Sequence, residues 1–257
     1  MQLIDSHTHL TNGALSADVE GVMQRSHDVG VSKVITIGCD ASDSEACVRL
    51  ANARSDVYCT VGVHPHEAGK VVDGDLDRLA ALIDEARVVA IGELGLDYHY
   101  DFSDRDSQKN VLDSQLAWAA ELDYPLVVHC REAYDDTEAA LIKHGFKDRP
   151  VVFHCFTGTK DEAHRIASNG WRISFTGIVT FKGSTELQAI ARAYPGEHLM
   201  LETDAPYLSP TPIRHIRPNE PAHMVHTARF LADLRGTSLE ALAAQTTNNT
   251  CAFFGLR

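Results

Sequence analysis

No apolar window in the 257 residues approaches the roughly 18 that a membrane span requires, so no membrane role is expected. The N-terminus carries neither a basic segment nor an apolar run of signal-peptide length, and low-complexity tracts are missing as well. The six cysteines (Cys39, Cys47, Cys59, Cys130, Cys155, Cys251) include no C-x-x-C pair, which leaves no sign of a disulfide framework or a cysteine zinc site. Reduced thiols and a cytoplasmic location are the expectation. Basic charge is scarce too: 23 Lys and Arg face 36 Asp and Glu, a formal net charge of -13. That balance argues against a protein that grips nucleic acid by a broad basic face. A polyanionic substrate would have to be drawn in locally, by divalent cations and a few Arg or Lys, because bound cations reverse the local potential.

What is present is a regular alternation of short apolar runs with amphipathic segments. The strand candidates are Gln2 to His9, Lys33 to Gly38, Val57 to His64, Val88 to Glu93, Pro125 to His129, Pro150 to His154, Trp171 to Phe175 and His198 to Thr203. Between them, sets such as Leu76, Leu79, Ile83, Ala86 and Leu112, Leu116, Ala119 fall on single helix faces. Helix starts are signalled by Asp43 or Ser44 before Glu45, and by Ser238 before Glu240. Eight β/α repeats with no composition break predict an α/β chain folded as one TIM (β/α)8 barrel, a single domain over 1–257, with a seven-stranded or open sheet as the alternative. Two connections are long. Gly95 to Asp106 is rich in Asp and Tyr, and Ala205 to Pro221 holds five of the nine prolines; long loops after barrel strands shape substrate sites.

The strand ends carry the chemistry. In LIDSHTHL (Leu3 to Leu10), His7 and His9 are two apart and project together. Strand three ends in His64, strand four in Glu93, strand five in His129 and strand six in His154, and Asp204 follows strand eight. Four imidazoles and two carboxylates at one barrel mouth make a ligand set for a pair of divalent ions. The expected division is His7, His9 and Asp204 on one ion and His129 and His154 on the other, with Glu93 shared; Gly92 and Gly95 beside Glu93 would give an ion room to approach. Such a pair activates a water and stabilises the charge that develops during attack, with Asp204 placed to orient that water and move its proton. Imidazole softness favours Zn, Mn, Fe or Co over Mg.

Seven stretches, DSHTHL (Asp5 to Leu10), VGVHPH (Val61 to His66), IGELGLDY (Ile91 to Tyr98), PLVVHCREA (Pro125 to Ala133), FHCFTGT (Phe153 to Thr159), LETDAPYL (Leu201 to Leu208) and NEPAH (Asn219 to His223), give the chain a clear resemblance. It resembles the TatD family of metal-dependent hydrolases within the amidohydrolase-like superfamily. The resemblance implies a TIM-barrel phosphodiesterase, a deoxyribonuclease trimming DNA ends from the 3′ side with divalent metal, Mg included. It carries over His7, His9, Glu93, His129, His154 and Asp204 as metal positions and places His64 and Arg131 in the pocket. The segment Ile213-Arg214-His215-Ile216-Arg217-Pro218 departs from the Arg-Gly-Lys or Arg-Arg run of many members, so substrate contacts from that loop are not carried over.

Other residues have plainer expectations. Glu202 and Asp5 are buried charges to be paired with an Arg or Lys, and Cys130 and Cys155 should turn outward toward the helices. His64 is expected beside the metals or on a phosphate, and Arg131 either clamps a phosphate or forms a structural ion pair. Lys182 is a weaker phosphate candidate, and His66, His99, His215, His223 and His226 have no distinguishing spacing. Two other functions fit the same residues: hydrolysis of a small amide, lactone or aminoacyl ester, or metal binding without catalysis. No obligate protein partner is evident.

Overall fold

The structure, a computed structural model, describes residues 1–256. Strand β1 (Leu3–Thr8) leads through α1 (Gly13–Ser16) and α2 (Val19–Asp28) to β2 (Val31–Thr36). There follow α3 (Ala41–Ala53), β3 (Val57–Val61), α4 (Asp75–Leu82), β4 (Val88–Asp97), α5 (Arg105–Ala120), β5 (Leu126–Arg131), α6 (Tyr134–Lys143) and β6 (Val151–Phe153). Helix α7 (Lys160–Ser168), β7 (Arg172–Phe175), α8 (Thr185–Ala193), β8 (Leu199–Leu201), α9 (Met224–Arg235) and α10 (Leu239–Phe254) complete the chain. The eight strands pair in sequential order and all in parallel. Between β8 and β1 the ring is drawn together just beyond the strand ends, where Asp204 N donates to His7 O (2.9 Å) and His9 N to Ala205 O (2.8 Å). The result is the expected TIM barrel, nearly closed, and the open-sheet alternative is excluded.

Alternation along the strands sorts the core into two layers. Val34, Val128, Phe153 and Leu201 belong to the large cluster between barrel and helices, whereas their chain neighbours Ile35, Val127, Val152 and Met200 fill the barrel interior. Phe253 and Phe254 at the end of α10 join that interior cluster and plug one end of the barrel. Toward the other end the interior turns polar, with Asp5, Ser174 and Glu202 all buried. Helix starts follow side-chain caps: Ser238 caps α10 as expected, but α3 begins earlier than the sequence signals, on Asp40, which accepts from Asp43 N. Among the described residues no helix is long and apolar enough to cross a membrane.

Candidate metal centre

The strand ends bring the six expected residues together around Glu93, which is 1 % exposed. Its Oε2 faces His7 Nε2 at 3.4 Å, while Oε1 lies 2.6 Å from His154 Nε2 and 2.9 Å from His129 Nδ1. On the far side of His7, the Nε2 atoms of His7 and His9 are 3.3 Å apart, and His9 Nε2 is 3.2 Å from Asp204 Oδ1. His7 stacks on His154 at 3.9 Å between ring centroids. Among the described residues four donor groups result: His7 with His9 and Asp204, Glu93 with His129 and His154, and two that overlap them, His64 with His66 and His129 and His7 with His154 and Glu202. Imidazole nitrogens pointing at one another and at carboxylate oxygens, in a buried site, form a donor set suited to divalent cations.

Local backbone explains the convergence. A Cβ on Gly95 would lie 1.9 Å from His129 O, and one on Gly92 would lie 2.5 Å from Val127 O. The glycines flanking Glu93 therefore admit the neighbouring strand β5, not an ion as the sequence alone suggests. Asp204 sits at φ 53, a left-handed turn just beyond β8.

The charges are mutually dependent. Burial would raise the Glu93 carboxyl, but the imidazoles of His154, His64 and His7 overcome it and hold the group well below the carboxylate range. Burial likewise opposes the charge on His154, yet Glu93 and Glu202 carry it well above the ordinary histidine value. His9 and His129 are also raised against burial, by Asp204 and by Asp97 with Glu93 respectively. His7 is lowered by burial and by His154. His64 is pushed down to about 4, mainly by burial.

The family model described as TatD related DNase matches residues 4–255. The chain belongs to the TatD family. It is 37 % identical over 260 residues to the 3'-5' ssDNA/RNA exonuclease TatD of Pantoea ananatis, covering 99 % of this chain and 100 % of that protein. The "Uncharacterized metal-dependent hydrolase YabD" of Bacillus subtilis is 33 % identical over 252 residues, 98 % of each chain. Among solved structures, the TatD homologue YJJV of Escherichia coli K12 superposes with a TM-score of 0.93 at 30 % identity, covering 99 % of this chain and 98 % of that one. Like its family, this chain is a metal-dependent hydrolase acting on ester bonds.

Several side chains of this TatD-family barrel depart from expectation. Among the described residues Glu202 pairs with no Arg or Lys; it accepts from Cys155 N and Ser174 Oγ, both at 2.6 Å, and lies 3.4 Å from His154 Nδ1, long for a hydrogen bond. Asp5 accepts from Thr203 N and Oγ1 and from His7 N, and burial pushes its carboxyl up to about 8. Cys155 does not turn outward: at φ 45 it leaves strand alternation, and it lines the cleft. Cys130, within reach of Thr137 on α6, follows the outward expectation more closely, although it too borders the cleft. Arg131 lines the cleft but stacks over Tyr100 at 4.8 Å. Lys182 is exposed outside the cleft. His99 pairs with Glu132, and His223 bonds Asn219.

Two residues escaped sequence reasoning. Asp97 accepts through Oδ2 from His129 Nε2 (3.0 Å) and His66 Nε2 (2.9 Å), and the two imidazoles hold its carboxyl low against the effect of burial. Strand β4 runs four residues past Glu93, so Asp97 shares Glu93's parity; Leu94 and Leu96 between them were the available signal. His66 lies in a short helical turn after Pro65 and obeys no strand period.

Proposed function

We propose that the protein is a phosphodiesterase that removes nucleotides from the 3′ ends of single-stranded DNA in the cytoplasm, as one catalytic domain over 1–257 using two divalent ions. The observation that carries this reading is the split of Glu93, one oxygen toward His154 and His129 and the other toward His7. A carboxylate so divided suits a bridge between two cations. His7, His9 and Asp204 would hold one, and His129 and His154 the other. The names of the Pantoea and related proteins, 3'-5' ssDNA/RNA exonucleases, support the substrate class. The mixed nitrogen and oxygen donors suit Zn or Mn, with Mg as the harder alternative.

When bound, such ions supply Lewis acidity to phosphoryl oxygens and make a water nucleophilic near neutral pH. The chain's own groups do the rest. Asp204, kept ionised against its burial by His9 and His7, takes the proton of the attacking water at Oδ2. As the water oxygen bonds to phosphorus, the ester P–O bond opposite breaks and the leaving alkoxide is protonated from solvent. His64 Nδ1 accepts from His66 N (3.0 Å), which leaves the ring proton on Nε2, aimed into the centre. There it can donate to a phosphoryl oxygen. Arg131, in the same cleft of about 1020 Å³, adds the positive charge that the acidic surface lacks.

A single-stranded oligonucleotide labelled at its 5′ end tests the reading. Stepwise shortening should stop in chelator and return with added metal, and a blocked 3′ end should resist. Unchanged cleavage in chelator would rule the proposal out.

A further inference from the structure

The loop after β4 places two aromatic rings in the wall of the catalytic cleft that the mechanism above does not use. Phe102 is 66 % exposed and Tyr100 41 %, with ring centroids 5.3 Å apart and planes inclined by 31°. Behind them stands His66, edge-on to Phe102 at 4.8 Å and 5.9 Å from the His129 ring. The pair is thus one ring removed from the metal centre.

Covering exposed aromatic faces is favourable, a flat aromatic partner gains stacking beyond the buried area, and this pair is built to stay in place. Asp97 Oδ1 accepts from His99 N (2.9 Å) and Tyr100 N (3.0 Å), while Ser103 Oγ bonds His66 O and receives Gly69 N. The carboxylate that fixes His129 through its other oxygen therefore also fixes the shelf. Arg131 occupies the neighbourhood of the Tyr100 ring at 4.8 Å, which leaves Phe102 as the more open surface.

We propose that the Tyr100–Phe102 shelf is a stacking subsite for one unpaired nucleobase next to the scissile phosphate. This rests on the phosphodiesterase reading and deepens it. Charge argues for the assignment: Arg131 is the one Lys or Arg lining the cleft among the described residues, whereas Asp40, Asp43 and Glu67 line it as well. Phosphate neutralisation by the protein is therefore minor, and affinity for a strand must come from the metals and from stacking. Stacking is indifferent to base identity and requires an unpaired base, so the shelf selects single strands. Its pre-organisation keeps the ordering cost low.

The test uses the metal-loaded full chain and an oligonucleotide series with one abasic residue moved through the last four 3′ positions. Phe102→Ala should raise KM for the unmodified strand roughly tenfold, and Phe102→Trp should restore it. In the wild type an abasic residue at one position should cost a similar factor, and in Phe102→Ala that penalty should vanish. Equal KM values for wild type and Phe102→Ala, or an abasic penalty that survives the substitution, overturn the shelf while leaving the phosphodiesterase reading intact. Failure of the wild type to shorten any strand, with a small ester hydrolysed instead, overturns both.

Discussion

Asp97 joins two imidazoles through one oxygen, and His129 owes its ring orientation to that bond. Asp97→Asn is therefore expected to weaken metal affinity about 10–100-fold, as loss of an outer carboxylate partner does. Calorimetric titration checks this, and an unchanged affinity would refute it. A second consequence concerns protons. In the metal-free protein His9, His129 and His154 are all raised above the ordinary histidine value, so they hold protons into the neutral range that an incoming cation must expel. Metal binding should release protons, and affinity should fall as pH drops through these raised values, a window that opens above the ordinary histidine value near 6.5. Titrations in two buffers of different ionisation enthalpy measure the release; identical heats contradict it. The six converging residues were legible because each lies toward or just past a strand end and the family's stretches mark the same positions, although Asp204 sits in a left-handed turn that parity does not fix. His66 was not, since a turn after proline has no period to read, and the partners of Glu202 lie on β7 and beyond β6, far away in sequence.

The elements differ in how much their sequence disclosed. Short β6 and β8 were readable as apolar runs, but β4 was read four residues short because Gly95 looked like a loop start; its glycine is instead where β5 presses closest. Helix α10 was foreseen from its Ser238 cap, yet nothing local predicts that Phe253 and Phe254 enter the barrel. Phe254→Ala should destabilise by about 3–5 kcal/mol, and Ser238→Ala by about 1 kcal/mol, both read from denaturant midpoints; equal losses would show that the plug carries no core packing. Ahead of β3, Arg54 bonds both oxygens of Asp56. Burial alone would raise the Asp56 carboxyl, but Arg54 lowers it below its ordinary value. A depressed carboxylate contributes stability that is present above the unfolded value near 3.9 and fades as pH falls through the folded value. Arg54→Ala should flatten stability against pH in that acid window and leave the slope near neutrality alone.

At the scale of the whole molecule, the proposed function requires an acidic protein to handle a polyanion, and the groups suited to holding cations are confined to one buried mouth. The barrel makes this possible because eight parallel strands end on the same side, so residues from 7 to 204 meet without any long-range sequence signal beyond the repeat itself. The interior changes from an aromatic plug supplied by α10 through a polar layer to the imidazole cluster at the strand ends. The most direct test is an anomalous-diffraction map of crystals soaked in Mn. The account predicts two peaks about 3.5–4 Å apart, one among His7, His9 and Asp204 and one among His129 and His154, with Glu93 touching both. A single peak, or peaks away from Glu93, would contradict it.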